Sequence, residues 1–497
     1  MYIVFIMLLL ENGLVFDGSG AEPVRADVLV DGTHIAALGK GMKAERVIDC
    51  SGLAVAPGFI DLHSHSDLQV LQRDRVEKVL QGVTTEVVGN CGFSPFPQGG
   101  HERELCEFGG GILGAAEGWG WPSARAYLQD AEKLDENVRI APLVGHGSLR
   151  VAAAGLRLGR LSPTELERMA AMLDESLEAG CVGFSTGLMY APGSSAGRQE
   201  LRDLCSIVAQ KGKLYATHMR SYSTGLLEAV REQLDLARTT GCRLQISHLQ
   251  AAGRANWDKQ RRALDEIEAA RAEGVDVEFD IYPYQCGSTV LTQWLPDWAL
   301  DGGKEELLLR LKATPVRTRI ADEVEASRPQ EWSDITISGL GSGREDLIGK
   351  TIADIGGVDA ALDLLLEEDA AVNVISFNQS EENLRQLLTH PLCSVISDGF
   401  YVKGKPHPRL HGTFPELLGK TVRERGWMTL SEAIHKITAK PAARLGFTDR
   451  GFLREGYAAD ITVFDPEKVS SPATYESPEL APEGIRYVLK EGKFTSD

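Results

Sequence analysis

Residues 54–67 read AVAPGFIDLHSHSD. A short apolar run, Phe59 to Leu62, ends on His63 and His65. Residues two apart on an extended strand share a face, so both imidazoles can project from the end of that strand. Seven further apolar runs follow: TTEVVGNCG (84–92), VRIAPLVGHG (138–147), CVGFSTGL (181–188), LYATHMR (214–220), LQISHLQ (244–250), VEFDIYPY (277–284) and CSVISDG (393–399). Helical patterns separate several of them. SPTELERMAAMLDESLEAG (162–180) is one, with Ser162 and Pro163 at its start and Gly180 past its end. Eight strands alternating with helices predict an α/β fold, a (β/α)₈ TIM barrel.

Outward from this core, residues 1–56 are strand-like and rich in turn signals such as Asn12-Gly13, Asp17-Gly18 and Asp31-Gly32. The stretch 441–497 has the same style. We therefore expect a small β-sandwich domain built from both termini, 1–56 and 441–497, around a catalytic barrel at 57–440. The chain between Tyr284 and Pro391 is far too long for one βα connection. It holds its own apolar runs, ITISGL (335–340) and AVNVISF (371–377), so an inserted subdomain is expected at about 285–391. The opening MYIVFIMLLLENG is too short to cross a bilayer as a helix and lacks the basic start and cleavage site of a signal peptide. It reads as a first β-strand with an over-long start.

Composition narrows the function classes. The 497 residues are 43% hydrophobic and 25% charged, as in a globular protein, with 52 basic against 71 acidic side chains for a net charge of −19. Such a chain lacks the basic footprint of a nucleic-acid binder and matches an anionic membrane poorly. Eight cysteines without a Cys-x-x-Cys pair argue against a disulfide framework and for a reducing, cytoplasmic setting. A small-molecule partner is expected, and a homo-oligomer is compatible.

The polar residues that end the strands carry the chemistry. Besides His63 and His65 they are Cys91, His218, His248 and Asp398. Imidazole, thiolate and carboxylate are zinc ligands, and the C-terminal ends of barrel strands are where such folds build their sites. Each has a plainer reading: Cys91 as a small buried thiol, Asp398 as a turn residue before Gly399. Six ligand-type groups at successive strand ends outweigh those readings. His146, in VGHGSL, reads instead as a satisfied core histidine.

AVAPGFIDLHSHSD and PAARLGFTDRGFLREGYAADITVFD (441–465) resemble the opening and closing signatures of the amidohydrolase superfamily. Six more segments are similar, in order and spacing, to the N-acyl-D-amino-acid deacylases: GVTTEVVGNCGFSP (82–95), GFSTGLMYAPG (183–193), ATHMRSYSTGLLEAV (216–230), ISHLQAAG (246–253), DIYPYQCGST (280–289) and SDGFYVKGKPHPRLHGTFP (397–415). The resemblance implies one tightly bound Zn²⁺ on Cys91, His218 and His248. It implies a second, weaker position at His63, His65 and Asp398, with Cys91 able to bridge. Many superfamily members bridge two metals with a fourth-strand lysine, and CVGFSTGL has none. Asp398 is implied as the base that takes a proton from water and passes it to the leaving nitrogen.

The substrate side follows from the same resemblance. Arg409, on a loop expected to border the site, is implied to bind the α-carboxylate, with help from Tyr282 and Ser288, and Tyr190 to reach the scissile carbonyl. Where many relatives read Ser-His-x-Lys, this chain has Gln250, which offers only neutral hydrogen bonds. Neutral or apolar D-side chains are therefore expected over acidic ones. The implied reaction is zinc-dependent hydrolysis of N-acyl-D-amino acids to a carboxylate and a free D-amino acid. The alternative is a cyclic amidase of the dihydropyrimidinase or hydantoinase kind. A non-catalytic barrel scaffold is a third reading, which six filled ligand positions disfavour.

Overall fold

A computed structural model describes residues 7–69, 75–114, 120–134 and 137–495. The over-long start expected for the first strand, residues 1–6, lies outside them. Eight parallel strands run in sequential order around the barrel. They are β1 (Phe59–Asp61), β2 (Val83–Val88), β3 (Arg139–Gly145), β4 (Gly183–Gly187), β5 (Leu214–His218), β6 (Arg243–Ile246), β7 (Val277–Ile281) and β8 (Cys393–Val395). Each falls within or beside one of the eight apolar runs. Nearly every strand residue is buried, the pattern of parallel strands covered on both faces. The seam between β8 and β1 closes just beyond the strand ends. There the Asp398 N–H donates to the His63 carbonyl at 2.8 Å and the His65 N–H to the Gly399 carbonyl at 3.0 Å.

The helical shell follows local sequence chemistry. Ser162 caps the helix Pro163–Ala179 by accepting from the Glu165 N–H, and Glu165 reaches back to the Ser162 N–H at 2.6 Å. This reciprocal cap satisfies donors that a helix start leaves open. Gly180 ends the helix at φ +125°.

Both termini contribute to one eight-stranded sheet with its own core, which includes Leu8, Leu10, Val28, Val55, Ile461 and Leu489. Strand Leu8–Val15 changes partners at a register shift between Leu10 and Gly13. Its first half pairs with Arg46–Asp49 and its second with Ala54–Pro57. Strand Ile461–Phe464 then pairs antiparallel with Ala54–Pro57, which joins the two ends of the chain. Between β7 and β8, strands Cys286–Val290, Ile335–Leu340 and Val372–Phe377 form an antiparallel sheet. With the helices around it, this sheet surrounds a separate apolar cluster.

Candidate metal centre

Five of the six residues expected as ligands lie just past a strand end, and His218 closes β5 itself. The structure brings all six together. The Cys91 Sγ lies 3.3 Å from His63 Nε2 and 3.5 Å from His248 Nε2. Asp398 Oδ1 lies 3.3 Å from the Nε2 atoms of both His63 and His65. The His218 and His248 rings are 4.7 Å apart. Three sets of donor atoms, Cys91/His218/His248, His63/His65/Cys91 and His63/His248/Asp398, each fit within 4.8 Å. All six residues are buried.

Backbone geometry aims these groups. Cys91, His248 and Asp398 all adopt left-handed conformations, with φ of 53°, 35° and 50°. For residues with a Cβ this costs on the order of 1–3 kcal/mol each, so other contacts must hold it. They are present. The His248 N–H donates to Asp280 Oδ1 at 2.7 Å, and the next residue's N–H to the Asp280 carbonyl at 2.9 Å. The Asp398 N–H is fixed by the His63 carbonyl, and the Gly92 N–H beside Cys91 by Ser185 Oγ at 3.0 Å. The Cys91 carbonyl presses so closely on β4 that a Cβ at Gly187 would sit 1.9 Å from it.

The electrostatics of three of the four rings favour coordination. Burial pulls His218 down to about 3 and His65 to about 4, and pulls His248 well below the usual imidazole range. These rings are therefore neutral and keep a lone pair, the form that binds metal. At His63 burial acts the same way, but Cys91 and Asp398 outweigh it and raise the ring well above its ordinary value. Burial also works to raise the Asp398 carboxyl, yet Arg409 and His63 hold it well below the usual carboxylate range. Both nitrogens of His218 and the Nδ1 atoms of His63, His65 and His248 have no hydrogen-bond partner among the described residues. Buried donors and acceptors are rarely left so, and a metal ion is the guest that His and Cys groups at this spacing fit.

A cavity of about 300 Å³ opens over the cluster, lined by His65, Cys91, His218, His248 and Asp398 and by Tyr190, Gln250, Tyr282 and Ser288. Tyr190 donates to or accepts from Thr289 at 3.2 Å, and its ring lies 4.9 Å from that of His218. Gln250 accepts from Asn378 at 3.0 Å, with the Tyr282 hydroxyl at 3.5 Å. Arg409 differs from the loop position expected for it. It opens the helix Arg409–Glu416, is buried, and reaches Asp398 Oδ2 at 2.9 Å and the Ser288 carbonyl at 3.3 Å, with its guanidinium 4.6 Å above the Tyr282 ring. β4 carries no lysine, as its sequence GFSTG shows. His146 is a buried group with one nitrogen paired: its Nε2 lies 2.8 Å from Glu200, which also binds Arg150 at 2.7 Å, while its Nδ1 has no hydrogen-bond partner among the described residues.

Residues 46–496 match the model of the amidohydrolase family. The chain belongs to this family. Within the amidohydrolases it is similar to the N-acyl-D-glutamate deacylase of Alcaligenes xylosoxydans xylosoxydans, with 37% identity over 98% of this chain and 92% of that one. The D-aminoacylase of the same organism is 34% identical over 98% and 93%. A solved structure of N-acyl-D-glutamate deacylase from Bordetella bronchiseptica, complexed with zinc and a phosphonate mimic of the tetrahedral intermediate, superposes with a TM-score of 0.84. It is 35% identical, over 99% of this chain and 96% of that one. This amidohydrolase is thus an enzyme of the N-acyl-D-amino-acid deacylase branch.

Reading the sequence missed one residue that the site needs. Asp280, inside β7, holds the His248 backbone and lies 3.7 Å from His63 Nδ1. Its only signal was an acidic residue within a strand otherwise suited to burial.

Proposed function

We propose that the chain hydrolyses N-acyl-D-amino acids to a carboxylate and a free D-amino acid, with zinc bound at the cluster. Cys91, His218 and His248 are the residues that would hold the ion most tightly. His63, His65 and Asp398 offer a second, weaker position beside it. A zinc ion there would polarise an amide carbonyl and acidify water, the two activations that amide hydrolysis lacks. The observation that carries the reading is the set of buried, unpartnered imidazole nitrogens around a thiol at the mouth of the barrel.

The protein's own groups supply the rest. Asp398 faces the cavity as a carboxylate, able to accept a proton and deliver it to the leaving nitrogen. Tyr190, against His218, is placed to donate to the scissile carbonyl oxygen. Arg409, with Tyr282 and Ser288 beside it, anchors the α-carboxylate and shares its guanidinium with Asp398. Fixing both the carboxylate and the carbonyl leaves the side chain one direction, and that is the basis of D-selectivity. Gln250 and Asn378 present neutral amides to the cavity, and the two arginines that also line it are already paired, Arg220 with Glu232 and Arg328 with Glu325 and Glu331, which supports neutral over acidic side chains.

The test is a matched set of N-acetyl-D- and L-leucine, methionine and glutamate, assayed with wild type and Arg409→Met. We expect turnover of the D-forms alone, leucine or methionine ahead of glutamate, and a strongly raised KM in Arg409→Met. Equal rates on both enantiomers would overturn the function. A clear preference for D-glutamate would overturn the role of Gln250.

A further inference from the structure

A second cavity, of about 550 Å³, adjoins the one over the metal cluster. The two share Ile112, Met189, Tyr190 and Gln293 as common wall. Their chemistry differs. The first presents Arg220, Gln250, Arg328 and Asn378. The second is faced by Phe93, Phe108, Leu156, Val290, Leu300 and Leu307. Phe93 and Phe108 stack with ring centres 4.5 Å apart. Lys304 and Asp369, both partly exposed on its rim, are paired with each other. A chamber of this size and lining takes an apolar ligand of several carbons.

Tyr190 decides which part of a substrate reaches it. On one side its ring lies 4.9 Å from His218, and on the other 4.9 Å from Phe93. With the scissile carbonyl beside Tyr190, the α-carboxylate and side chain of the amino acid occupy the polar cavity. The group on the far side of the carbonyl carbon then runs past Tyr190 and Met189 into the apolar one.

We propose that this second cavity is an acyl-tail subsite, and that the preferred substrates are D-amino acids N-acylated with an unbranched aliphatic chain of medium length, such as octanoyl, rather than acetyl. This rests on the deacylase reading above. Water adds across the amide: the C–N bond breaks, a C–O bond forms on the acyl carbon, one proton goes to the leaving nitrogen, and a fatty acid and a free D-amino acid result. The class of reaction that supplies such a substrate is acylation of a D-amino acid by an activated medium-chain fatty acid.

The experiment compares N-octanoyl- and N-acetyl-D-leucine on the zinc-loaded enzyme. Each buried methylene is worth roughly fourfold in binding, so kcat/KM for the octanoyl substrate should exceed that for the acetyl one by at least about tenfold. Gly110 lies on the cavity wall, where a new Cβ would meet nothing within 4 Å among the described residues. Gly110→Phe should fill the space and lower the octanoyl-to-acetyl ratio at least tenfold. Independently of turnover, octanoate should compete with the substrate at far lower concentration than acetate. An octanoyl-to-acetyl ratio of one or less, a ratio unmoved by Gly110→Phe, or equal inhibition by the two acids would overturn the subsite while leaving the deacylase reading in place. Failure to cleave either substrate would instead overturn that reading, and the subsite with it.

Discussion

Two buried polar layers lie back to back in the barrel, and only one of them is complete. In the deeper layer Lys78 donates to Asp61 at 2.7 Å and Ser397 at 2.8 Å and lies 3.3 Å from Glu86. Glu86 in turn accepts from Ser66 at 2.9 Å and Arg75 at 2.7 Å. The upper layer begins two residues after Asp61, at His63, and one residue after Ser397, at Asp398. There five imidazole nitrogens have no hydrogen-bond partner among the described residues, and three residues hold left-handed backbone angles. The same strands thus carry charges that neutralise one another below and open donor atoms above. The lower layer is structural cement between β1, β2 and β8. The upper one brings its donor atoms within 4.8 Å of one another at a conformational cost.

That contrast is sharpest in variants. Asp398→Asn keeps the shape of the upper layer and removes the proton acceptor. It should retain zinc and lose several orders of magnitude in kcat. A loss below about tenfold, only ~1.4 kcal/mol of barrier, would assign the base elsewhere. Lys78→Met acts on the lower layer alone: it strands Asp61 as a buried carboxylate without its cation and leaves Glu86 with Arg75. Breaking a buried pair in this way costs about 3–5 kcal/mol, so chemical denaturation should report a loss of that order. Zinc content of the folded fraction should hold. Unchanged stability would mean that the lower layer is not cement.

Asp280→Asn probes what orients the upper layer, because Asp280 pins the His248 backbone and receives Gln245 at 2.8 Å. Groups that orient metal ligands are worth about 10–100-fold in metal affinity. We expect a weakening in that range, read by zinc competition with a chelator. An unaltered affinity would show that His248 is oriented without it.

The two layers were not equally legible in the sequence. The upper one could be read because parallel strands, buried on both faces, appear as unbroken apolar runs, so polar residues at their ends stand out. The lower one could not. Lys78 meets Ser397 across more than three hundred residues, and nothing local to either marks the contact. Asp280 was obscured for a related reason: a charged residue inside a strand has no distinctive spacing. Arg409 was singled out for substrate binding, but its burial at a helix start and its bond to Asp398 depend on how that helix packs behind the site. The left-handed angles at Cys91, His248 and Asp398 were equally invisible, since none is a glycine. The apolar second cavity is bounded by segments far apart in the chain, and no motif announces it.

Zinc binding at the upper layer is what the proposed function stands on. Calorimetric titration of zinc into metal-stripped wild type, alongside Cys91→Ala, tests it most directly. At least one tightly bound ion per wild-type chain is expected, with a rise in thermal midpoint on loading and loss of both in Cys91→Ala. Stoichiometric binding with full turnover in Cys91→Ala, or no binding by wild type, would contradict it.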